Sequence, residues 1–168
     1  MKLFFTVLCA ALFSYCAAAR EVADASGRTF DFDAPPTAAT VVPNISQEVY
    51  AIGAQDFLLG NSNYCTYPED AKLKPKLGGL LNPDYEKIAK AAPEIFLLPL
   101  SPTGRAIARR LESVGVRPFF LNTEGLDNVA KDILLLGKVF FKDAAAEKIA
   151  RDFDAEIRDE RGRQTGRG

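Results

Sequence analysis

The chain contains no histidine and no tryptophan. Without imidazole there is no Ser-His-Asp or Cys-His catalytic arrangement, and no zinc site of the kinds that require histidine. Cysteine is scarce. Cys9, Cys16 and Cys65 form no C-x-x-C pair, which leaves no thiolate cluster for zinc or iron–sulfur. A basic excess is also missing: 21 Lys and Arg stand against 22 Asp and Glu, for a net charge of −1. Nucleic acid is therefore not an expected partner. No G-x-G-x-x-G or G-x-x-x-x-G-K-[ST] occurs, so dinucleotide and nucleoside-triphosphate binding lose their main support. What remains is globular: 168 residues, 48% hydrophobic and 26% charged, enough for one domain and too few for two of ordinary size.

The N-terminus reads as a targeting segment. Lys2 supplies a positive start, residues 3–13 are apolar apart from Thr6, and Ala17-Ala18-Ala19 gives a small-x-small cleavage pattern before Arg20. Together these features predict a secretory signal peptide over 1–19 and an exported mature chain. Its apolar run is too short to span a bilayer stably. Cys16 raises a lipoprotein as the alternative, but Tyr15 is bulky where lipid attachment wants a small residue. After cleavage only Cys65 remains, and a lone thiol is expected to be buried as a packing group.

Residues 21–32 alternate about Ser26-Gly27 and predict a hairpin. Strand and helix then alternate. Short strands are expected at 40–42, 56–60, 95–100 and 117–121. Helices are expected at 46–52, from Asn82-Pro83 (Asn as N-cap, Pro at the first helical position), at 103–114, along Leu126, Val129, Ile133, Leu136 and Phe140, and from Asp143 onward. The stripe Tyr85, Ile88, Ala89 and Ala92 is expected to face inward, as are Ile107, Ala108, Leu111 and Val114. The last helix carries Ala146, Ile149, Ala150, Phe153 and Ile157 on one face. One helical turn is expected near 68–72 within a long loop, 61–82. The fold class is α/β, a parallel sheet with helices on both faces: a single Rossmann-like lobe with an N-terminal hairpin and a long C-terminal helix. Ligands of such sheets sit beyond the C-terminal strand ends. Residues 159–168 hold no core-type apolar side chain but three Gly and three Arg. They read as a disordered or frame-shifted tail.

Several segments in order resemble a known family. They are Asp24-Ala-Ser-Gly-Arg28, Pro43-Asn-Ile-Ser-Gln-Glu-Val-Tyr-Ala-Ile-Gly-Ala54, Gly60-Asn-Ser-Asn-Tyr-Cys-Thr-Tyr-Pro68, Gly78-Gly79 with Asn82-Pro-Asp-Tyr-Glu-Lys-Ile88, and Ala92-Pro-Glu-Ile-Phe-Leu97. From about Val22 to about Ile157 the chain resembles the N-terminal lobe of the periplasmic solute-binding proteins of cobalamin and iron-chelate ABC importers. Where that family usually has Thr-Glu in its first helix, this chain has Ser46-Gln47. The resemblance implies a signal peptide at 1–19, an N-terminal lobe at 20–158 that includes the start of an interlobe helix, and an absent second lobe. It also implies a monomeric, non-enzymatic binding component without a cofactor, which passes a corrinoid, siderophore or haem to an ABC permease in the inner membrane. A half-domain without binding activity and an α/β enzyme are the other readings.

The expected ligand surface is Asn44, Tyr64, Tyr67, Gly79, Leu80 and Ser101, at strand ends or in the long loop. Tyrosines there would stack on a flat macrocycle or meet an iron chelate, although Tyr67 could instead plug the loop's own small core. Gly78-Gly79 would let backbone approach a ligand, or serve as a plain turn. Arg105, Arg109 and Arg110 read as a solvated helix face. By resemblance Glu86 would dock on permease arginines; the other reading is that it complements its helix N-terminus. No metal ligands and no catalytic residues are expected.

Overall fold

The computed structural model describes residues 19–165. The targeting segment and Cys9 and Cys16 therefore lie outside the described residues, apart from Ala19. The chain opens with an antiparallel hairpin, β1 (Arg20–Ala23) and β2 (Thr29–Phe32), in the register Arg20 to Phe32. The main sheet follows. It comprises β3 (Ala38–Thr40), β4 (Leu58–Gly60), β7 (Ile95–Pro99) and β8 (Arg117–Leu121), all parallel, in the order β4-β3-β7-β8. Two short strands, β5 (Gly78–Gly79) and β6 (Asn82–Pro83), pair antiparallel outside it.

Among the described residues, five α-helices cover both faces, as the α/β pattern predicts. Helix α1 (Pro43–Ala51), α4 (Leu126–Val139) and α5 (Asp143–Thr165) share one core with the hairpin. Helix α2 (Tyr85–Ala91) and α3 (Pro102–Glu112) share the other. The central strand shows why this works. In β7, Ile95 and Leu97 enter the first core and Phe96 and Leu98 the second, so every position is buried. A continuous apolar run is what a strand covered on both sides requires.

Element boundaries depart from the sequence expectation in instructive places. The strand expected at 40–42 lies at Ala38–Thr40, because the Val42 amide donates to Thr40 Oγ1 (3.1 Å) and leaves the ladder. Helix α1 accordingly starts at Pro43, whose fixed φ suits a first helical position. Residues Gln55–Phe57 form a 3-10 turn before β4, and Glu69–Leu73 supplies the expected turn in the long loop.

The start of α2 is a correction. Asn82-Pro83 is not its cap, because both residues pair with Gly78-Gly79. Asp84 is the cap and accepts the Lys87 amide at 3.1 Å. That hydrogen bond, above the other contributions, holds the Asp84 carboxyl below its ordinary range. Only Ile88 of α2 is buried; Ala89 is exposed, and so is Ala92, which leaves the helix in a left-handed conformation (φ 46°) before Pro93. Val114 and Leu126 are likewise exposed, each just beyond or at a helix end.

Helix α5 continues to Thr165, past Ile157 where its apolar stripe stops. Charge holds this stretch in place of packing: Arg163 pairs with Asp159 and Glu160 on the same helix, and Arg161 reaches Asp127 of α4 at 2.9 Å. Pairs of this kind at i, i+3 and i, i+4 support a helix without a core. The root of α5 is fixed on α4 by a close approach. A Cβ at Gly137 would collide with the Cβ of Ala146. Arg20 adds a third element: its guanidinium bonds Asp143 at 2.7 Å and lies 4.3 Å from the Phe141 ring centre.

The Gly137 contact predicts a specific cost. Gly137→Ala should lower stability by about 1–3 kcal/mol by overpacking the α4–α5 contact. Urea unfolding would show it as a reduced midpoint at unchanged slope, and an unaltered midpoint would refute the close contact.

Candidate functional site

Parallel strands end on one edge. The segments that follow β3, β4, β7 and β8 therefore all emerge there, and they carry Asn44, Tyr64, Tyr67 and Ser101. Asn44 is exposed at the second position of α1, and its side chain bonds Glu48. Ser101 is the N-cap of α3, accepting the Gly104 amide at 3.1 Å. Leu80 is half-buried and touches both cores, so it closes the sheet edge between them. It also lines a groove of about 500 Å³ with Tyr85, Thr103 and Arg110. Leu81, which sequence reasoning passed over, is 89% exposed beside it.

The loop after β4 carries the two tyrosines. Both are exposed, Tyr64 at 68% and Tyr67 at 69%. Between them Cys65 is buried, its thiol within 3.5 Å of the Tyr67 carbonyl, as expected of a packing group. The Tyr67–Pro68 peptide is cis. Tyr67 lies over α1, lining a groove of about 290 Å³ with Gln47, Tyr50 and Asp70. Tyr64 lies against Gly79: a Cβ there would stand 2.7 Å from Cε2 of the ring. Gly79 thus makes room for a side chain of its own chain. Gly78 is needed for another reason, with φ at +93° and a Cβ position that would collide with the Asn82 carbonyl oxygen.

Of the expected residues the structure brings one pair into contact and places the others separately. Tyr64 and Gly79 are in contact, Tyr67 sits over α1, and Leu80 lies toward α3. Glu86 is exposed in the first turn of α2. The arginines of α3 lie on an outer surface; Arg110 stacks 4.1 Å from the Tyr85 ring centre and Arg105 lies 5.8 Å from that of Phe120.

Between α1 and α4 the structure buries two acids that the sequence did not single out. Glu48 of α1 and Asp132 of α4 are both buried. One oxygen of Asp132 accepts the Asn122 amide at 3.0 Å, whereas Glu48 Oε2 and Asp132 Oδ2 have no protein partner. Burial, then the Asp132 charge, push Glu48 up to about 8 against the Asn44 hydrogen bond. Burial also raises Asp132, opposed by the Asn122 amide. Two like charges at close quarters in a low-dielectric site cannot both ionise cheaply. Helical spacing offered the signal: Glu48 lies three residues after the buried Ile45 and beside the buried Val49.

This pair predicts a pH dependence. The folded chain keeps the Glu48 proton over a range in which the unfolded chain, with an ordinary value of 4.5, loses it. Its stabilising contribution is fully present below pH 4.5 and is lost as pH rises to about 8. Glu48→Gln should flatten the fall in Tm across that window and raise Tm at its upper end. Thermal scans from acid to mildly alkaline pH measure it, and a slope equal to that of the parent chain would count against the buried pair.

With this geometry in view, comparison with known proteins is direct. The family model described as periplasmic binding protein matches residues 39–161. An uncharacterised ABC transporter substrate-binding lipoprotein, YvrC of Bacillus subtilis, is 23% identical over 129 residues, 74% of this chain and 40% of the relative. Among solved structures, the periplasmic vitamin B12 binding protein of Vibrio cholerae superposes with a TM-score of 0.69 at 24% identity, covering 77% of this chain and 51% of that one. A periplasmic haem-binding protein from Pseudomonas aeruginosa gives 0.67 at 21% identity, covering 76% and 46%. The chain thus spans about half the length, or less, of the proteins it matches.

Proposed function

The chain belongs to the periplasmic binding protein family, and on that premise we propose that it supplies one ligand-binding lobe of the substrate-binding component of an ABC importer for cobalamin or an iron chelate such as a siderophore or haem. The observation that carries this reading is the pair of exposed tyrosines, Tyr64 and Tyr67, at the C-terminal edge of a parallel sheet. Such edges are where open α/β sheets take ligands. An aromatic face presented to water offers a flat apolar platform with a hydroxyl at its rim, suited to a macrocycle or a chelate. The vitamin B12 and haem binding proteins among the structural neighbours support the same ligand class. Asn44, Leu80 and Ser101 complete the surface, and Gly79 lies beneath the Tyr64 ring. The component acts in the periplasm as a monomer, binds without catalysing a reaction, and delivers its cargo to the inner-membrane permease.

One lobe covers one face of such a ligand, whereas pockets for ligands of this size bury about 70–90% of the ligand surface. Titration of the chain with cobalamin, haemin and a ferric siderophore, followed by absorbance, should show saturable micromolar or weaker binding of one of them. Tyr64→Ala should weaken it further. Submicromolar binding would overturn the one-lobe reading, and the absence of any saturable shift would overturn the ligand reading.

Glu86 is the residue proposed to meet the permease. It is exposed, and Asp84 already caps the helix, so Glu86 is free of that duty. A surface carboxylate facing a cationic partner sets orientation as well as attraction. Glu86→Ala should weaken association with the reconstituted permease and leave ligand affinity unchanged. Equal loss of both would sink the docking role.

A further inference from the structure

The tyrosine loop is tied from within by one ammonium group. Residues 61–76 leave β4 and return to the place they left. The Asn61 amide donates to the Pro75 carbonyl at 2.9 Å, and the Leu77 amide donates to the Asn61 carbonyl at 2.9 Å. Inside this neck the half-buried Lys76 side chain points back into the loop. Its Nζ donates to Asn61 Oδ1 at 2.8 Å, to the Ala71 carbonyl at 3.0 Å and to the Cys65 carbonyl at 3.2 Å. An ammonium has three protons, and here each has an acceptor. None of the three acceptors is a carboxylate, so the contact is a cage of neutral oxygens about a cation. The fully buried Asn61 shares it, donating Nδ2 to the same Ala71 carbonyl at 2.8 Å.

The three anchor points span the loop. Cys65 lies between Tyr64 and Tyr67, and Ala71 lies in the turn that follows Pro68. The two exposed rings therefore sit on a segment held from below at 65 and from beyond at 71, with Gly79 receiving the Tyr64 ring on the other side. The tyrosines have little packing of their own to hold them, as their exposure shows. Hydrogen bonds to a charged group are stronger than neutral ones. A tethered loop has already met the ordering cost that a floppy one would meet on binding.

We propose that Lys76 is a positioning residue, whose ammonium holds the Tyr64–Tyr67 segment in its binding conformation before ligand arrives. This rests on the ligand reading of the two tyrosines, but it is tested first without ligand.

In the unaltered chain, acetylation followed by peptide mass spectrometry should modify Lys76 at least about tenfold more slowly than the exposed Lys90, because a locally protected group reacts only through opening. Equal rates would overturn the proposal. Lys76→Met keeps the stem and removes the charge. Amide exchange at Asn63, Cys65 and Ala71 should then rise by about tenfold or more while Leu97 and Leu98 of β7 stay protected. Iodoacetamide labelling of Cys65, resolved by peptide from Cys9 and Cys16, should accelerate in parallel. A rise shared by the loop and β7 would mean a global stabilising role, and unchanged loop exchange would mean none; either result overturns the tether. Should Lys76→Met fail to fold, the acetylation rates decide the matter. In the chromophore titrations, Lys76→Met should bind at least about tenfold more weakly, a loss of 1.4 kcal/mol or more. Absence of binding by the parent chain, with its loop protected, would overturn the ligand reading and leave the tether standing.

Discussion

Strand β7 is buried on both faces, and the remainder of the lobe follows from that constraint. Its alternate side chains, Ile95 and Leu97 against Phe96 and Leu98, must each find an apolar layer. Two layers on opposite sides of one strand demand helices above and below. Connections that cross over a helix make neighbouring strands parallel. Parallel strands in turn place every post-strand loop on one edge. The gathering of these loops at one edge is therefore a consequence of the core's two-sidedness. At full burial an apolar side chain contributes about 1.5–3 kcal/mol.

The outer edge of β8 is managed by a different device. An edge strand presents unpaired amides and carbonyls. Here the turn of the hairpin covers them. Asp24 is buried, and one of its oxygens accepts the Ser26 amide, the Ser26 hydroxyl and the Arg28 amide, which fixes the turn. Its second oxygen accepts the Phe120 amide of β8 at 3.1 Å, and the Ala25 amide donates to the Phe120 carbonyl at 2.9 Å. One carboxylate shapes the hairpin and seals the sheet. Contrast Glu48 and Asp132, where an oxygen of each lacks a protein partner. The same chemical group is satisfied in one place and strained in the other, where burial raises both the Glu48 and the Asp132 carboxyl.

What could be read in advance followed from periodicity. The run at 95–100 and the stripe Ile133, Leu136 and Phe140 lie where they were expected, because burial dictates both pattern and position. Boundaries were less legible, since hydrogen bonds that patterning does not encode set them. Thr40 Oγ1 ended β3 early, and the pairing of Asn82-Pro83 with Gly78-Gly79 moved the α2 cap to Asp84. In the site, the exposed tyrosines were visible as aromatics in a polar loop. Lys76 was not, because a lysine beside a proline reads as a solvated surface charge. Its partners are carbonyls, which the sequence does not display. The tail past Ile157 shows the same limit in reverse: its helix is carried by charge pairs, and the absence of an apolar stripe reads as the absence of structure.

Buried polarity is unevenly distributed, and its distribution argues for where the lobe has work to do. Among the described residues, the buried polar ones apart from Asp24 are Thr40, Ser46, Glu48, Asn61, Ser62 and Asp132. All stand at or just past a C-terminal strand end, or touch a segment that does. Thr40 Oγ1 donates to the Leu97 carbonyl, joining β3 to β7 at their upper ends. Ser62 accepts the Tyr64 amide, and Asp132 accepts that of Asn122. A buried polar group is costly unless it is hydrogen-bonded, and an apolar core of the same shape would be at least as stable. Apolar contacts, however, do not specify where a loop backbone must stand, because they have no direction. Hydrogen bonds do. Both cores of this lobe are built mainly by apolar packing, and directional bonds fix the backbone of the segments that leave the strands at one edge. On the proposed reading, that is the backbone a recognition surface built on loops would need held.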